Sequence, residues 1–502
     1  MASDRIGITR YIDAGGADIS SFTDAEQYTS EAIRMALLSA PFKGGVPNKY
    51  ELLDNAYRAS GGFETGDYLI PHPREGIDKY NRRKCLAYYT NYVKPVVDST
   101  VNPIFKTAPT RQNGNSLYNT FIGDVDGNNT SLTRFMKKAA IRAKLHGVEF
   151  IVVDMEQLPN KELITKQDVM DNRLYPYLYL VSPRQISDWA VDKFGKLIYI
   201  EYQLTNVIVD DKGNKATNTE TYRWTTSYCI KSTEDGTETI PNSIGVIPVV
   251  PVYGAINDAD CLIPQSDIYA IARTNLAIFQ AASEYRERQR NQCFSIMTFP
   301  INSNNDDYES GADAIKYGTS DCLIYDGTSG SYPQFITPPA DPSNTLLAEI
   351  EFMIKEIYRM ASMQMTTGVN QYNVSGLAKK WDNQQLFQTI SDLSQNLQQA
   401  EYVIANIFSL YTSEDNDNLS VVYNNEFGIL DATEILNQAT QSLSLNISPE
   451  FNVKIKEQVI RATLTDVDQN IVNEVIKDLN KQPNAKDPLE AGQGKMIQPT
   501  SN

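Results

Sequence analysis

Apolar positions along the chain fall into two regimes, one helical and one of short alternating runs. The clearest helical pattern lies over 378–411. There Leu386, Ile390, Leu393, Leu397, Ala400, Ile404, Ile407 and Tyr411 hold a 3.6-residue period and predict a long helix. A second long helix is predicted over 264–291, where no Gly or Pro follows Pro264. Ile268, Ile271, Asn275, Ile278, Ala282 and Tyr285 share one face of it, and it ends in Arg286, Arg288 and Arg290. A third covers 344–361, with Leu347, Ile350, Ile354 and Ile357 on one side. Between the last two, residues 294–342 carry short strand-like runs and Gly/Asn/Pro/Ser turns. Two helices bracketing a β-type insert make a stalk with a head.

Upstream the pattern is mixed. NRRKCLAYYTNYVKPVVDSTV (81–101) reads as one helix bent or divided at Pro95. The polar stretch QNGNSLYNTFIGDVDGNNTS reads as a loop. SLTRFMKKAAIRAKLHG is a helix with Ser131 as N-cap and Gly147 as stop, running into the buried strand VEFIVVD. From Tyr175 to Tyr253 short strands and turns form a β-rich meander. LSVVYNNEFGI is strand-like, and the chain after Pro449 reads as a helical hairpin. The Pro/Gly/Gln/Lys-rich tail from Gln482 is expected to be disordered. The fold class is α+β.

Composition narrows the function. With 41% hydrophobic and 21% charged residues and a mean hydropathy of -0.38, a chain of 502 residues can build a core. No stretch approaches the roughly 18 apolar residues of a membrane helix, so no membrane partner is expected. The polar start MASDRIGITRYIDAGGADIS lacks the apolar region of a secretory signal. Five scattered cysteines without a CxxC pair favour reduced thiols over a disulfide frame or zinc site. The net charge of -17 opposes phosphate binding. It would equally suit a conduit through which DNA slides, so both readings stand.

The search for chemistry is mostly negative. The two histidines, His72 in a PHP turn and His146 at a helix C-terminus, exclude HExxH and histidine clusters and read as structural. No GxxxxGK[ST] or GxSxG is present. Asp124-Val125-Asp126-Gly127-Asn128 lacks calcium-loop spacing and reads as a turn. Asp154 and Glu156 at a strand end are a weak metal pair. No catalytic residue, metal or cofactor is assigned, and an enzyme is not expected. The loop over 362–380 is rich in Met and amides (Asn370, Gln371, Asn373) and ends in Lys379-Lys380. It is either a plain surface connection or a loop touching a polyanion without base readout.

The order of these parts resembles tailed-bacteriophage portal proteins over about residues 60–480. The similarity lies in YLIPHPREGIDKYNRRKCLAYYTNYVKPVVDSTVNPIFKTAPT, in IPVVPVYG followed by DIYAIARTNLAIFQAASEYRERQR, and in VSGLAKKWDNQQLFQTISDLSQNLQQAEYVIANIFSLY. The resemblance implies a homo-oligomeric ring, usually of twelve subunits, at one capsid vertex of the virion, assembled in the host cytoplasm. Double-stranded DNA would pass through its centre. Terminase and then a head-tail adaptor would dock on it, and major capsid and scaffolding proteins would surround it. It also implies parts: a wing over 1–263 and 381–450, stem helices over 264–291 and 344–361, and a clip over 292–343. A tunnel loop over 362–380 and a short helical crown over 451–481 complete them. In that loop Asn370, Gln371, Tyr372, Asn373, Lys379 and Lys380 would lie near DNA. Arg286, Arg288 and Arg290 would be a second positive belt or would pair with neighbouring subunits' acids, the pairing being favoured. The alternatives are another virion part (an adaptor or minor capsid protein) and a metal-dependent DNA-processing enzyme.

Overall fold

The computed structural model describes residues 48–481 apart from 73–74, 156–172, 210–214, 235, 258–260, 294–295, 302–322, 327–331, 337–338, 364–383, 417, 426, 428–431, 446 and 464–468. Chain order begins with α1 (Lys49–Arg58), α2 (Gly62–Thr65), α3 (Ile77–Leu86), α4 (Val93–Val101), β1 (Thr110–Gln112), α5 (Ser116–Gly123), α6 (Leu132–His146) and β2 (Val148–Asp154). Next come β3 (Tyr177–Val181), β4 (Ile186–Val191), β5 (Leu197–Val209), β6 (Lys215–Thr225), β7 (Tyr228–Thr233), β8 (Gly236–Pro241) and β9 (Val249–Tyr253). Then follow α7 (Ile268–Cys293), β10 (Ile296–Ile301), β11 (Leu323–Asp326), β12 (Gln334–Ile336), α8 (Asp341–Met360), α9 (Gln384–Thr412) and β13 (Ser420–Val422). The last three helices are α10 (Ala432–Ser444), α11 (Pro449–Thr463) and α12 (Gln469–Lys481). The mixture of helices with several small sheets is the α+β class that the sequence pattern predicts.

Strand β2 organises the first part of the chain. It is the middle of an antiparallel sheet in the order β3-β2-β9. Ile151 and Val153 point into the helical core, while Val148, Phe150 and Val152 point into a second cluster with Val181, Ile200, Tyr202, Trp224 and Cys229. Both faces are covered, so the strand reads as an unbroken apolar run and not as an alternation. The second cluster is the inner face of a meander, β4-β5-β6-β7-β8, antiparallel throughout. In it Trp224 Nε1 donates to Tyr202 Oη at 3.0 Å, so the buried indole is satisfied.

Helix α6 starts and stops where its residues dictate. Ser131 Oγ accepts from Arg134 N at 3.4 Å. At the other end Gly147 takes φ +95°, and a Cβ there would stand 2.7 Å from the Pro264 carbonyl oxygen. Only glycine permits that approach.

Two local expectations are corrected. The segment 81–101 is divided at 87–92 and not at Pro95. Pro95 lies in the first turn of α4, where a missing N–H costs nothing. The stretch read as a loop before Ser131 contains α5. Its N-cap Asn115 accepts from Tyr118 N at 2.7 Å, and it buries Leu117, Tyr118 and Phe121.

The chain divides into two compact units after Phe427. The second, taken by itself, holds α10, α11 and α12, with α11 against both of the others. Ala439, Val472 and Ile476 are its buried apolar residues among those described.

Candidate functional site

The feature with no counterpart in an ordinary core is the α7, small sheet, α8 unit. Helices α7 and α8 pack on each other, and the chain between them forms a three-stranded sheet in the order β11-β10-β12. Strand β10 runs parallel to β11, with Thr298 opposite Leu323, and antiparallel to β12, with Thr298 opposite Gln334. At 1.5 Å per residue, α7 is about 39 Å long and α8 about 30 Å.

The root of α7 is fastened by polar side chains on its apolar face. Asn275 is fully buried. Its Oδ1 accepts from Tyr89 Oη at 2.6 Å and Tyr92 N at 3.0 Å, and its Nδ2 donates to the Thr90 carbonyl at 2.9 Å. Gln280 Nε2 donates to the Tyr68 carbonyl at 3.0 Å. Arg83 Nη1 donates to Ser283 Oγ at 3.2 Å while its other nitrogens grip Glu75 at 2.9 and 2.7 Å. Burial would raise the Glu75 carboxyl, but the Arg83 guanidinium outweighs it and holds its pKa below the usual value. Ile268, Ile271, Ile278 and Phe279 fill the apolar spaces between these contacts.

From Ser283 to Arg290 one side of the helix still faces α3 across a small recess. At the far end Gln292 closes the neck of the insert. Its Nε2 donates to the Pro339 carbonyl at 2.8 Å, and its Oε1 accepts from Ser343 Oγ at 3.0 Å. On α8, Ile350 and Ile357 are buried and Ile354 half-buried, as the period predicts. Leu347 is 38% exposed and Phe352 62%, because this part of the helix has α7 as its support.

The three arginines are separated by helical geometry. Positions two apart point to opposite sides, whereas positions four apart share a face. Arg286 and Arg290 accordingly line one small recess with Arg83, and Arg288 is not part of it. Arg286 lies over the Tyr88 ring, 5.1 Å from its centroid. None of the three forms an ion pair among the described residues. Asn370, Gln371, Tyr372, Asn373, Lys379 and Lys380 lie outside the described residues.

Of the other sequence candidates, Asp154 accepts from Met155 N at 2.8 Å and from Tyr177 Oη at 3.3 Å, while Glu156 lies outside the described residues. Asp124 accepts from the backbone N–H of Gly127 at 2.8 Å and of Asn129 at 3.1 Å, and Arg173 Nε donates to it at 3.1 Å. That is a turn closed by an ion pair. His146 is buried between Asp54, 3.2 Å from Nε2, and Glu149, 3.4 Å from Nδ1. Burial alone would lower its pKa. The hydrogen bonds to the two carboxylates outweigh this and hold it above the ordinary histidine value.

Sequence reasoning missed the buried pair beside α9. Glu401 is fully buried, and both its oxygens receive the Arg111 guanidinium, one contact being Nη2 to Oε2 at 2.9 Å. Tyr423 Oη adds a bond at 2.7 Å. The signal was present: Glu401 stands four residues after Leu397 and three before Ile404, a charge inside an apolar stripe.

No known family profile matches the chain, and no curated protein does. Among solved structures, a chain from the virion of a native gene transfer agent particle aligns with it at 10% identity and a TM-score of 0.41. The alignment covers 82% of this chain and 94% of that one.

The arrangement can hold a small sheet at a distance from the body.

Proposed function

We propose that the chain is a subunit of a portal-type ring in a virion, a conduit for DNA packaging and ejection. The observation that carries this reading is the α7–α8 hairpin with a three-stranded sheet at its neck end. It supports the parts implied by the sequence resemblance: the hairpin as stem, β10 to β12 as clip, and the body from α1 to β9 with α9 as wing. On this reading the sheet end meets the terminase and then the adaptor. The root keeps each subunit's stem at a fixed tilt in the ring. Helices α11 and α12 form the crown. The net charge of -17 leaves DNA free to slide, and screening confines residual attraction to about 8 Å.

Negative-stain electron microscopy with light scattering tests the reading. Closed cyclic oligomers are expected. A monomer at high concentration with no rings would overturn it. On the same reading, Lys379→Glu with Lys380→Glu spares ring assembly and lowers DNA packaging. Undiminished packaging by rings of that variant removes the loop's role while leaving the ring intact.

A further inference from the structure

A cleft of about 310 Å³ lies between α1 and α6, far in sequence from the stem unit. Five cationic side chains line it: Arg58, Arg134, Lys137, Lys138 and Arg142. The whole chain carries 62 acidic against 45 basic residues, so the sign of the cleft is the reverse of the molecule's. Arg142 is held by Glu149 at 3.1 Å. Arg58, Arg134, Lys137 and Lys138 form no ion pair among the described residues. Asp54 is the one carboxylate in the lining among the described residues, and His146 already engages it at 3.2 Å. Cations gathered this closely repel one another, a cost that an anionic occupant would remove.

We propose that this cleft docks an acidic peptide segment of a partner protein, one that also carries a bulky apolar side chain. The length and floor of the groove define that ligand. From position 134 to 145 the lining follows one face of α6 for about 16 Å, which an extended chain covers with about five residues. Ile141 and Leu145 give the floor an apolar strip between the charges. A sugar-phosphate backbone offers no bulky apolar side group to bury there, whereas a segment with a leucine or phenylalanine does. Base stacking is also disfavoured. Tyr57, the aromatic in the lining, is tied through its hydroxyl to Asp98 at 2.8 Å, and Lys94 lies 5.9 Å from its ring centroid. Three of the five cations are arginines, whose planar fork matches a carboxylate in two bonds. The proposal is independent of the ring reading.

The test is fluorescence anisotropy with the full chain and three labelled probes. One is an eight-residue peptide of six glutamates with one leucine and one phenylalanine. The second is an all-glutamate peptide of equal length, and the third a twelve-base-pair DNA duplex. The mixed peptide is expected to bind most tightly. Lys137→Glu with Lys138→Glu should weaken it by about tenfold or more, and Ile141→Ser should erase its advantage over the all-glutamate peptide. An unchanged melting curve for each variant shows that the fold survives, and Lys137→Gln with Lys138→Gln serves if the reversal does not fold. Tighter binding of the duplex, lost in the same variants, would overturn the proposal in favour of a nucleic-acid site. Absence of peptide binding, or binding indifferent to charge reversal, would overturn it outright.

Discussion

Helices α7 and α9 are the two longest among the described residues, with 26 and 29 residues, yet they are held in opposite ways. Helix α9 buries side chains from Ile390 to Phe408 and takes its position from the surrounding core. Helix α7 is fastened from Ile268 to Ser283; beyond that Arg286 and Arg290 border a recess with Arg83, while Arg288 and Gln289 are exposed. The contrast separates two uses of a long helix. Where burial is continuous, the chain specifies the helix alone. Where it stops after Ser283, the last ten residues keep their place through α8 and the neck at Gln292.

The sharpest way to break this contrast is inside α9. Glu401→Ala strands the Arg111 guanidinium in the core and should cost about 3–5 kcal/mol. Urea unfolding with a full-length variant measures it. A loss under about 1 kcal/mol would mean that the pair is solvated and α9 less core-like than described. Next comes the root of α7. Asn275→Ala leaves the Tyr92 N–H and the Thr90 carbonyl without their partner and should cost about 2–3 kcal/mol, read the same way. If the variant melts like the parent, the root does not depend on this fastening.

A smaller effect tests the network beside α6. Because its folded pKa is raised, His146 contributes stability that is complete below the ordinary histidine value, about 6.5. That contribution fades as pH rises through the folded value. Melting temperatures from pH 6 to 9 should fall in the parent relative to His146→Gln. Parallel profiles would show that the imidazole is not charged in the fold. The smallest effect lies on the outer stalk. Phe352→Ser should change stability by less than about 0.5 kcal/mol and leave the monomer fold intact, because Phe352 is 62% exposed. A large loss would show that this half is as tightly held as the root.

The same contrast explains what could be read from the sequence. Periodicity marks α9 because its apolar stripe meets a continuous core, and Ser131 with Gly147 mark α6 because capping is local. The division at 87–92 escaped notice because Pro95 drew the break to itself, although a first turn tolerates it. Helix α5 escaped because Asn115 and Gly123 frame it with turn-like residues, while its burial depends on Phe408, distant in sequence. The Arg111–Glu401 pair joins residues far apart in the chain, so spacing could show the misplaced acid but not its partner. The cleft between α1 and α6 was equally hidden, since Arg58 and Arg134 meet only once the chain is folded.

The neck at Gln292 has a consequence for modularity. Its bonds to Pro339 and Ser343 bring the two ends of the inserted sheet together within hydrogen-bonding distance. An element entered and left at one point behaves as a cassette: its sequence can be exchanged without retuning the body that carries it. The tip can therefore vary in sequence while the root stays fixed.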